Sequence, residues 1–246
     1  MSAIDTNPSN NGRGSDAWSR SWTHLGIDRR SPGYCRVTFD HPPINAITST
    51  TVLELAELVG LIEQDPDLNV VVFDSVNPHF YLGPYRTELN SSTTSAPPSS
   101  SGEAQAWLDL LIRLPRAPVV SIASIRGRAC GPGSDFVLAC DLRFASRENT
   151  QLGQSELPTG VVPDGGSTAR LCRLAGRGRA LEILLVADDL DGPRAEQYRY
   201  VNRAIADDRL DDEVDQIATR LARSDHGAIA RAKSCVDHMI SSAAQG

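Results

Sequence analysis

A glycine-rich stretch, GRACGPGSD at residues 127–135, holds the residues whose types and spacing point most directly to chemistry. It lies between an apolar run and an amphipathic pattern, which predicts a turn from a strand into a helix. The N–H groups at a helix N-terminus favour an anion or a developing oxyanion. A tight turn that only needs small residues gives the same pattern. The glycine spacing is not that of a dinucleotide-binding loop, and the Lys-Ser/Thr pair of a phosphate-binding loop is absent.

Further motifs stand around this stretch in a fixed order, and Asp135 falls in the first turn of the predicted helix. The motifs are HPPINAI at 41–47, VVVFDS at 70–75, LGQSE at 152–156, TGVVPDGG at 159–166 and RLCRLAG at 170–176. Together they resemble the crotonase superfamily, the enoyl-CoA hydratases and isomerases, over about residues 23–237. The resemblance implies an α/β fold, a crotonase-type spiral of repeated ββα units with a helical C-terminal extension.

The resemblance also implies a reaction, in which an acyl-CoA thioester is held by two backbone N–H groups while an enolate forms on its carbonyl oxygen. By position, the two hydratase acids fall on Asp135 and Glu156, and Asp135 is one methylene shorter than the glutamate expected there. Asp164 falls where several double-bond isomerases carry their acid. With Glu156 as general acid/base, Asp135 is the partner for hydration and Asp164 for isomerisation. Alternatively, Asp135 caps a helix and Asp164 ends a turn.

The expected oxyanion hole departs from the family pattern. Pro132 occupies the middle of the usual Gly-Gly-Gly, and proline has no N–H to donate. In the other loop, HFYLGPYR, a gapless alignment places the second donor on Pro84, whereas a shift of one residue places it on Tyr85. We therefore expect the substrate-binding backbone to comprise Pro132 and Gly133 on one side and Gly83, Pro84 and Tyr85 on the other. In a shifted turn the Gly133 N–H is the donor.

Two other functions are compatible with parts of the sequence. A catalytically weakened or silent crotonase-fold protein, acting as a binding module or oligomeric partner, is favoured by Pro132 and Pro84, whereas the three acids oppose it. A hydrolase with Ser134 as nucleophile needs a base, and no histidine stands near Ser134 in the sequence. Four arginines follow in an amphipathic stretch, where they form a solvated face or lie near the CoA phosphates. They are Arg170, Arg173, Arg177 and Arg179.

Composition limits the partners and the cofactors. The 246 residues include 24 Lys and Arg against 31 Asp and Glu, a net charge of −7, so a nucleic-acid partner is not expected. No run of about twenty apolar residues and no secretory signal is present, which predicts a cytoplasmic protein without a membrane partner. The five histidines lack metal-ligand spacing, so we expect no metal and no other cofactor, with the coenzyme A thioester as substrate. The five cysteines are expected to be buried, reduced thiols.

Hydrophobic periodicity gives an alternation of strands and helices. Strands are predicted at Cys35–Phe39, Val70–Phe73, Val119–Ile125 and Leu142–Ala145. Helices are predicted around Val52–Ile62 and at Ala104–Leu114, Asp135–Cys140, Ala169–Ala175, Ala180–Leu185, Asp211–Arg223 and Ala228–Ile240. The strand, helix, strand order at the beginning implies a parallel crossover connection.

Three regions follow from this pattern. Residues 1–22 are predicted to be a disordered leader, because they are rich in Ser, Asn, Gly and Asp. Residues 23–200 form the crotonase core, interrupted by a mobile Ser/Pro loop at 88–103. Residues 201–246 form a helical C-terminal oligomerisation region, shorter than is usual in the family. The resemblance implies a homo-oligomer, a trimer or a hexamer built from trimers.

Overall fold

The computed structural model describes residues 18–83, 102–154, 165–186 and 188–243. The strands are β1 (Leu25–Ser31), β2 (Tyr34–Phe39), β3 (Val70–Ser75), β4 (Phe80–Leu82), β5 (Val120–Cys130), β6 (Leu142–Gly153), β7 (Leu190–Asp191) and β8 (Arg203–Ile205). The α-helices are α1 (Ser49–Gln64), α2 (Gly102–Arg116), α3 (Pro132–Ala139), α4 (Ser167–Ala175), α5 (Arg177–Val186), α6 (Gly192–Gln197), α7 (Leu210–Ala222) and α8 (His226–Ala243).

The strands of the described part form one mixed sheet in the order β1-β2-β3-β5-β6-β7, with β4 against β5 and β8 against β6. Strands β2, β3, β5 and β6 are parallel, which confirms the predicted crossover from β2 through α1 to β3. Helix α1 begins after Thr48, whose side chain accepts a hydrogen bond from the Thr51 amide and closes a capping box.

The two longest strands change partners halfway along their length. The first part of β5 pairs with β3 up to Ala123, and its later part pairs with β4 at Arg128 and Ala129. The register of β5 against β6 shifts between Ile125 and Gly127, and Gly127 has a φ of +73°. Strand β6 likewise pairs first with β8 and then with β7. The sheet therefore turns at this point, which directs the ends of β4, β5 and β6 toward helix α3.

Each face of the sheet has its own apolar core. The larger core lies under α1, α2 and α3 and includes Val37, Phe39 and Phe73. The smaller core lies under α7 and includes Val70 and Val72. Because neighbouring residues of a strand point to opposite faces, the continuous apolar run of β3 supplies both cores.

Several predicted boundaries were too short. Helix α2 continues past Pro115 to Arg116, β5 runs on to Cys130, and β6 runs on to Gly153. The apolar run of β5 ends early because Arg126 and Arg128 point out of the core, where they pair with Asp207, Asp211 and Asp189. Strand β1 was not predicted, because it is an edge strand with alternating partly exposed residues.

The chain ends and the long loop are only partly described. Residues 1–17 of the predicted leader lie outside the described residues, whereas Trp18 and Trp22 pack against the larger core. Residues 84–101, which hold most of the predicted Ser/Pro loop, also lie outside them. At the other end, strand β8 precedes the helical region, and α8 exposes the apolar side chains of Val236 and Met239.

The cysteines are free thiols, and the expectation that they are buried holds for three of them. Cys35, Cys130 and Cys140 are buried, and burial raises the pKa of Cys35 to about 12, as expected of an inert thiol. Cys172 and Cys235 are exposed, because they stand on the outer faces of α4 and α8.

Candidate active site

Helix α3 begins directly at the end of β5. Gly131, with a φ of +54°, is the N-cap residue, and Pro132 is the first helical residue, a position that suits proline. The first intrahelical bond runs from the Asp135 amide to the Gly131 carbonyl, at 2.9 Å. Helix geometry therefore leaves the N–H groups of Gly133 and Ser134 without an intrahelical acceptor. The predicted strand-to-helix turn is present, but it consists of one residue rather than a long loop.

Gly133 lies against the end of β4. A Cβ atom placed on Gly133 would stand 2.2 Å from the Leu82 carbonyl oxygen and 3.3 Å from that of Gly83. Only glycine permits so close an approach of the two backbones. The start of α3 and the end of β4, the two loops from which the sequence predicts an oxyanion hole, are therefore in contact.

The backbone amides at this junction differ in availability. Pro132 has no N–H, and the N–H of Gly83 donates to the Asn45 carbonyl at 2.9 Å. The Gly83 N–H is therefore engaged within the protein. Pro84 and Tyr85 lie outside the described residues. At this junction, the Gly133 amide remains directed out of the helix.

Asn45, in the HPPINAI segment, is a residue whose role the sequence pattern did not reveal. Its backbone has a φ of +50°, and its buried side chain donates to the Ser75 hydroxyl at 2.7 Å and to the Tyr81 carbonyl at 3.3 Å. It thereby joins the loop before α1 to the ends of β3 and β4. The available signal was an asparagine after a Pro-Pro pair, since asparagine tolerates the left-handed conformation.

Asp135 is 3 % exposed, and its carboxylate packs against the backbone of Gly165. A Cβ atom on Gly165 would stand 2.2 Å from Oδ2 of Asp135. Gly165 is the first described residue after the segment that holds Glu156 and Asp164, and those two acids themselves lie outside the described residues. Their segment therefore returns to the body of the protein beside Asp135.

The other end of the same segment is also fixed to the start of α3. Gln154, the last described residue before the segment, donates from Nε2 to the Ser134 Oγ at 2.9 Å. The Ser134 hydroxyl is also hydrogen-bonded to the hydroxyl of Tyr200. Ser134 is fully buried and bound on both sides, which does not fit a nucleophile open to substrate. Instead it connects α3 to the end of β6 and to Tyr200.

The four arginines near this site differ from each other. Arg173 and Arg177 are exposed, and Arg179 lies 5.0 Å from the ring centre of Tyr198. Arg170 is different, because its Nη1 donates to the Gly165 carbonyl at 2.7 Å and its Nη2 to the Leu111 carbonyl at 2.6 Å. Burial lowers the pKa of Arg170, and the nearby Asp135 carboxylate acts in the opposite direction. Arg170 therefore does not form part of a solvated face, because its guanidinium binds two backbone carbonyls.

Aromatic packing holds α3 on the core. The ring of Phe136 stands edge-on to Phe73, with ring centres 5.0 Å apart, and edge-on to Phe39 at 5.5 Å. Trp107 of α2 stacks on it from the other side at 6.4 Å. Such contacts fix the helix whose first turn carries Gly133 and Asp135.

The described part of the chain contains neither a grouping of metal ligands nor a membrane-spanning helix. Within residues 18–83, 102–154, 165–186 and 188–243, no three His, Cys, Asp or Glu side chains are grouped as a metal site would require. No helix in the same ranges is both long enough and apolar enough to span a bilayer.

Comparison with known proteins gives a consistent result. Residues 29–245 match the enoyl-CoA hydratase/isomerase family. The crotonyl-CoA hydratase of Syntrophomonas wolfei is 27 % identical over 194 residues, which cover 79 % of this chain and 74 % of that protein.

Solved structures agree with this match. A Streptomyces avermitilis protein, provisionally assigned as an enoyl-CoA hydratase, is 36 % identical with a TM-score of 0.79, covering 90 % of this chain and 80 % of that one. The enoyl-CoA hydratase of Geobacillus kaustophilus is 26 % identical with a TM-score of 0.79, covering 87 % of this chain and 80 % of that one. The α/β spiral expected of the crotonase fold is thereby confirmed. The chain belongs to the enoyl-CoA hydratase/isomerase family of the crotonase superfamily.

Proposed function

We propose that this protein binds an acyl-CoA thioester and acts on it as an enoyl-CoA hydratase or isomerase. Family membership supports the class of reaction. One observation in the structure supports the site: the segment that carries Glu156 and Asp164 leaves and returns at the first turn of α3. Gln154 binds Ser134 at one end of that segment, and Gly165 packs on Asp135 at the other. The described residues on either side of this segment therefore contact the helix start that carries the Gly133 amide.

The proposed chemistry uses the N-terminus of α3. The thioester carbonyl oxygen accepts a hydrogen bond from the Gly133 N–H, and the helix dipole favours the negative charge of the enolate. Tyr85 is the proposed second donor, because Pro84 has no N–H and that of Gly83 is engaged. In hydration, Asp135 and Glu156 hold and deprotonate the water; in isomerisation, Glu156 and Asp164 move the proton between carbons. The proposal requires no metal and no redox cofactor.

The assembly is also part of the proposal. We propose a homo-oligomer, a trimer or a hexamer built from two trimers, in which the exposed apolar side chains of α8 are covered by another copy. These side chains are Val236, Met239 and Ile240. A cytoplasmic location accompanies this proposal.

An assay of crotonyl-CoA hydration tests the function, with the reaction measured as the loss of the enoyl absorbance. A Glu156→Gln substitution is expected to lower kcat by about a hundredfold or more, because it removes the general acid/base. The matched control is Glu196→Gln on the exposed surface of α6, which is expected to keep wild-type turnover.

Calorimetry with acetyl-CoA separates the remaining outcomes. Binding and turnover by the wild type, with turnover lost in Glu156→Gln, is the expected result. Binding without any turnover on enoyl-CoA substrates would instead favour the silent binding module. Absence of binding to both acetyl-CoA and crotonyl-CoA would contradict the proposal altogether.

A further inference from the structure

A proline in helix α2 leaves one backbone carbonyl without its usual partner. Pro115 lies near the end of α2, at the position whose N–H would donate to the Leu111 carbonyl. Because proline has no N–H, that carbonyl needs another donor. Nη2 of Arg170, from helix α4, donates to it at 2.6 Å. The backbone carbonyl that proline leaves free in one helix is therefore bound by a side chain of another helix.

The second arm of the same guanidinium reaches the catalytic segment. Nη1 of Arg170 donates to the Gly165 carbonyl at 2.7 Å. The next residue, Gly166, has a φ of +81°, and a Cβ atom there would stand 2.9 Å from Nη1 of Arg170. The backbone conformation therefore favours glycine at 166, and a larger residue there would also displace the Arg170 guanidinium. Arg170 thus links α2 to the turn at which the segment with Glu156 and Asp164 ends.

This turn is in contact with the carboxylate of Asp135. A Cβ atom on Gly165 would stand only 2.2 Å from Oδ2 of Asp135, and the Asp135 charge also acts on Arg170. The other groups whose charge acts on the Arg170 guanidinium are Cys140, at the end of α3, and Arg173, on the exposed side of α4. By reciprocity, the guanidinium favours the ionised form of Asp135.

We propose that Arg170 is a positioning residue for catalysis, holding Gly165 against the Asp135 carboxylate and keeping that carboxylate ionised and aligned for the reacting water. This inference rests on the proposed function. Arginine suits the task because its planar fork binds two carbonyls at once and keeps its charge when buried. The helix break at Pro115 supplies one of these two acceptors.

Steady-state kinetics across pH test the role of Arg170. An Arg170→Met substitution is expected to lower kcat by about tenfold or more, because the reacting groups lose alignment, with KM changed by less than about twofold. The acidic limb of the pH profile should move to higher pH, because Asp135 loses a favourable charge. Arg170→Lys should restore the acidic limb but only part of kcat, since lysine lacks the fork. Arg220→Met, on the exposed face of α7, should match the wild type.

A second substitution separates positioning from mere structural support. Pro115→Ala gives the Leu111 carbonyl its helical N–H, so in the Arg170→Met background it should recover thermal stability. The pH profile should remain displaced. Recovery of both stability and the wild-type pH profile would overturn the proposal, as would an Arg170→Met enzyme with unchanged kcat and pH profile.

Hydrogen exchange keeps this test independent of turnover. If the wild type neither hydrates nor isomerises any enoyl-CoA, the proposed function fails, and amide exchange still decides the contact. Arg170→Met should then speed exchange in the peptide covering residues 131–138 relative to Arg220→Met. Equal exchange in the two variants would contradict the positioning role.

Discussion

Gly133 and Asp135 are neighbours in the sequence whose surroundings come from distant parts of the chain. Gly133 packs on Leu82 of β4, and Asp135 packs on Gly165. The close contact at Gly165 also explains the aspartate, because the longer side chain of glutamate would press on the Gly165 backbone. An aspartate at 135 and a glycine at 165 are therefore a matched pair.

The close approach of α3 to β4 can be tested by adding one methyl group. Gly133→Ala places a Cβ 2.2 Å from the Leu82 carbonyl oxygen, so the two backbones must separate. We expect the free energy of unfolding to fall by about 1–3 kcal/mol and acetyl-CoA binding to weaken, because overpacking shifts the backbone. Denaturant unfolding and calorimetry measure the two effects.

A second glycine provides the control for this substitution. Gly178, in helix α5, has no atom within 4 Å of an added Cβ. Gly178→Ala is expected to be neutral or to stabilise the fold by up to about 1 kcal/mol, because alanine favours a helix. Equal stability of the two variants would show that Gly133 does not approach β4 as described.

His24 confers a pH dependence on stability. Its ring stacks on that of His41 with centres 3.6 Å apart, and burial and the His41 charge lower the pKa of His24, although Glu54 opposes them. Below about pH 6.5, the unfolded chain therefore binds a proton at His24 more readily than the folded protein does. The contribution of His24 to the free energy of unfolding is therefore present above this pH and is lost as the pH drops below it.

Thermal unfolding checks this sign. The wild-type Tm should fall between about pH 7.5 and about pH 5.5, and a His24→Asn variant should show a smaller fall over the same range. His238→Asn, on the exposed surface of α8, should retain the wild-type fall. An identical fall in His24→Asn and the wild type would contradict the role of His24.

The sequence placed some site residues correctly and could not place others. Gly133 and Asp135 are local to one strand-to-helix turn, which a short pattern predicts. The function of Asn45 depends on the positions of β3 and β4, and the function of Arg170 depends on a proline in another helix. A single arginine on an amphipathic pattern gives no sign of such a partner, so the sequence offered only a solvated face or the CoA phosphates for Arg170.

At the scale of elements, α3 is held by a buried chain of hydrogen bonds as well as by aromatic packing. Ser134 on α3 is bound to Gln154 at the end of β6 and to Tyr200 after α6. These bonds fix the first turn of α3 relative to the beginning of the Glu156 segment. Breaking them should therefore affect turnover more than an equally buried bond elsewhere.

A pair of tyrosine substitutions tests this difference. Tyr200→Phe removes only the hydroxyl and should cost about 1 kcal/mol of stability. It should also lower kcat, by roughly tenfold, because α3 loses alignment. Tyr34→Phe, which loses a hydrogen bond to Asp215 of α7, should show a similar loss of stability with wild-type kcat. Equal kcat in the two variants would contradict the alignment role.

Element lengths were less predictable than element types. The apolar core of β5 was recognised, but its second half carries Arg126 and Arg128. Their charges are neutralised by ion pairs that only the fold creates. The predicted helix Ala104–Leu114 stops just before Pro115, whereas α2 includes this proline. The helix accommodates Pro115 because Arg170 binds the Leu111 carbonyl that the proline leaves free.

At the scale of the whole molecule, a net charge of −7 gives no general attraction for the anionic CoA. Instead, several segments of the fold meet at one point: β4, the end of β6 and α4 all lie next to the N-terminus of α3. Binding must therefore come from local groups, above all the free amides at that helix start. The family fold is retained, and the proposed donor, Gly133, stands one residue after the position of Pro132 in the family pattern.

A crystal structure with a bound, unreactive acyl-CoA tests this central claim most directly. The distance from the Gly133 backbone nitrogen to the thioester carbonyl oxygen is predicted to be about 3 Å, with the Asp135 carboxylate beside the acyl chain. A thioester oxygen beyond hydrogen-bond distance of Gly133, or an acyl-CoA bound away from the start of α3, would contradict it.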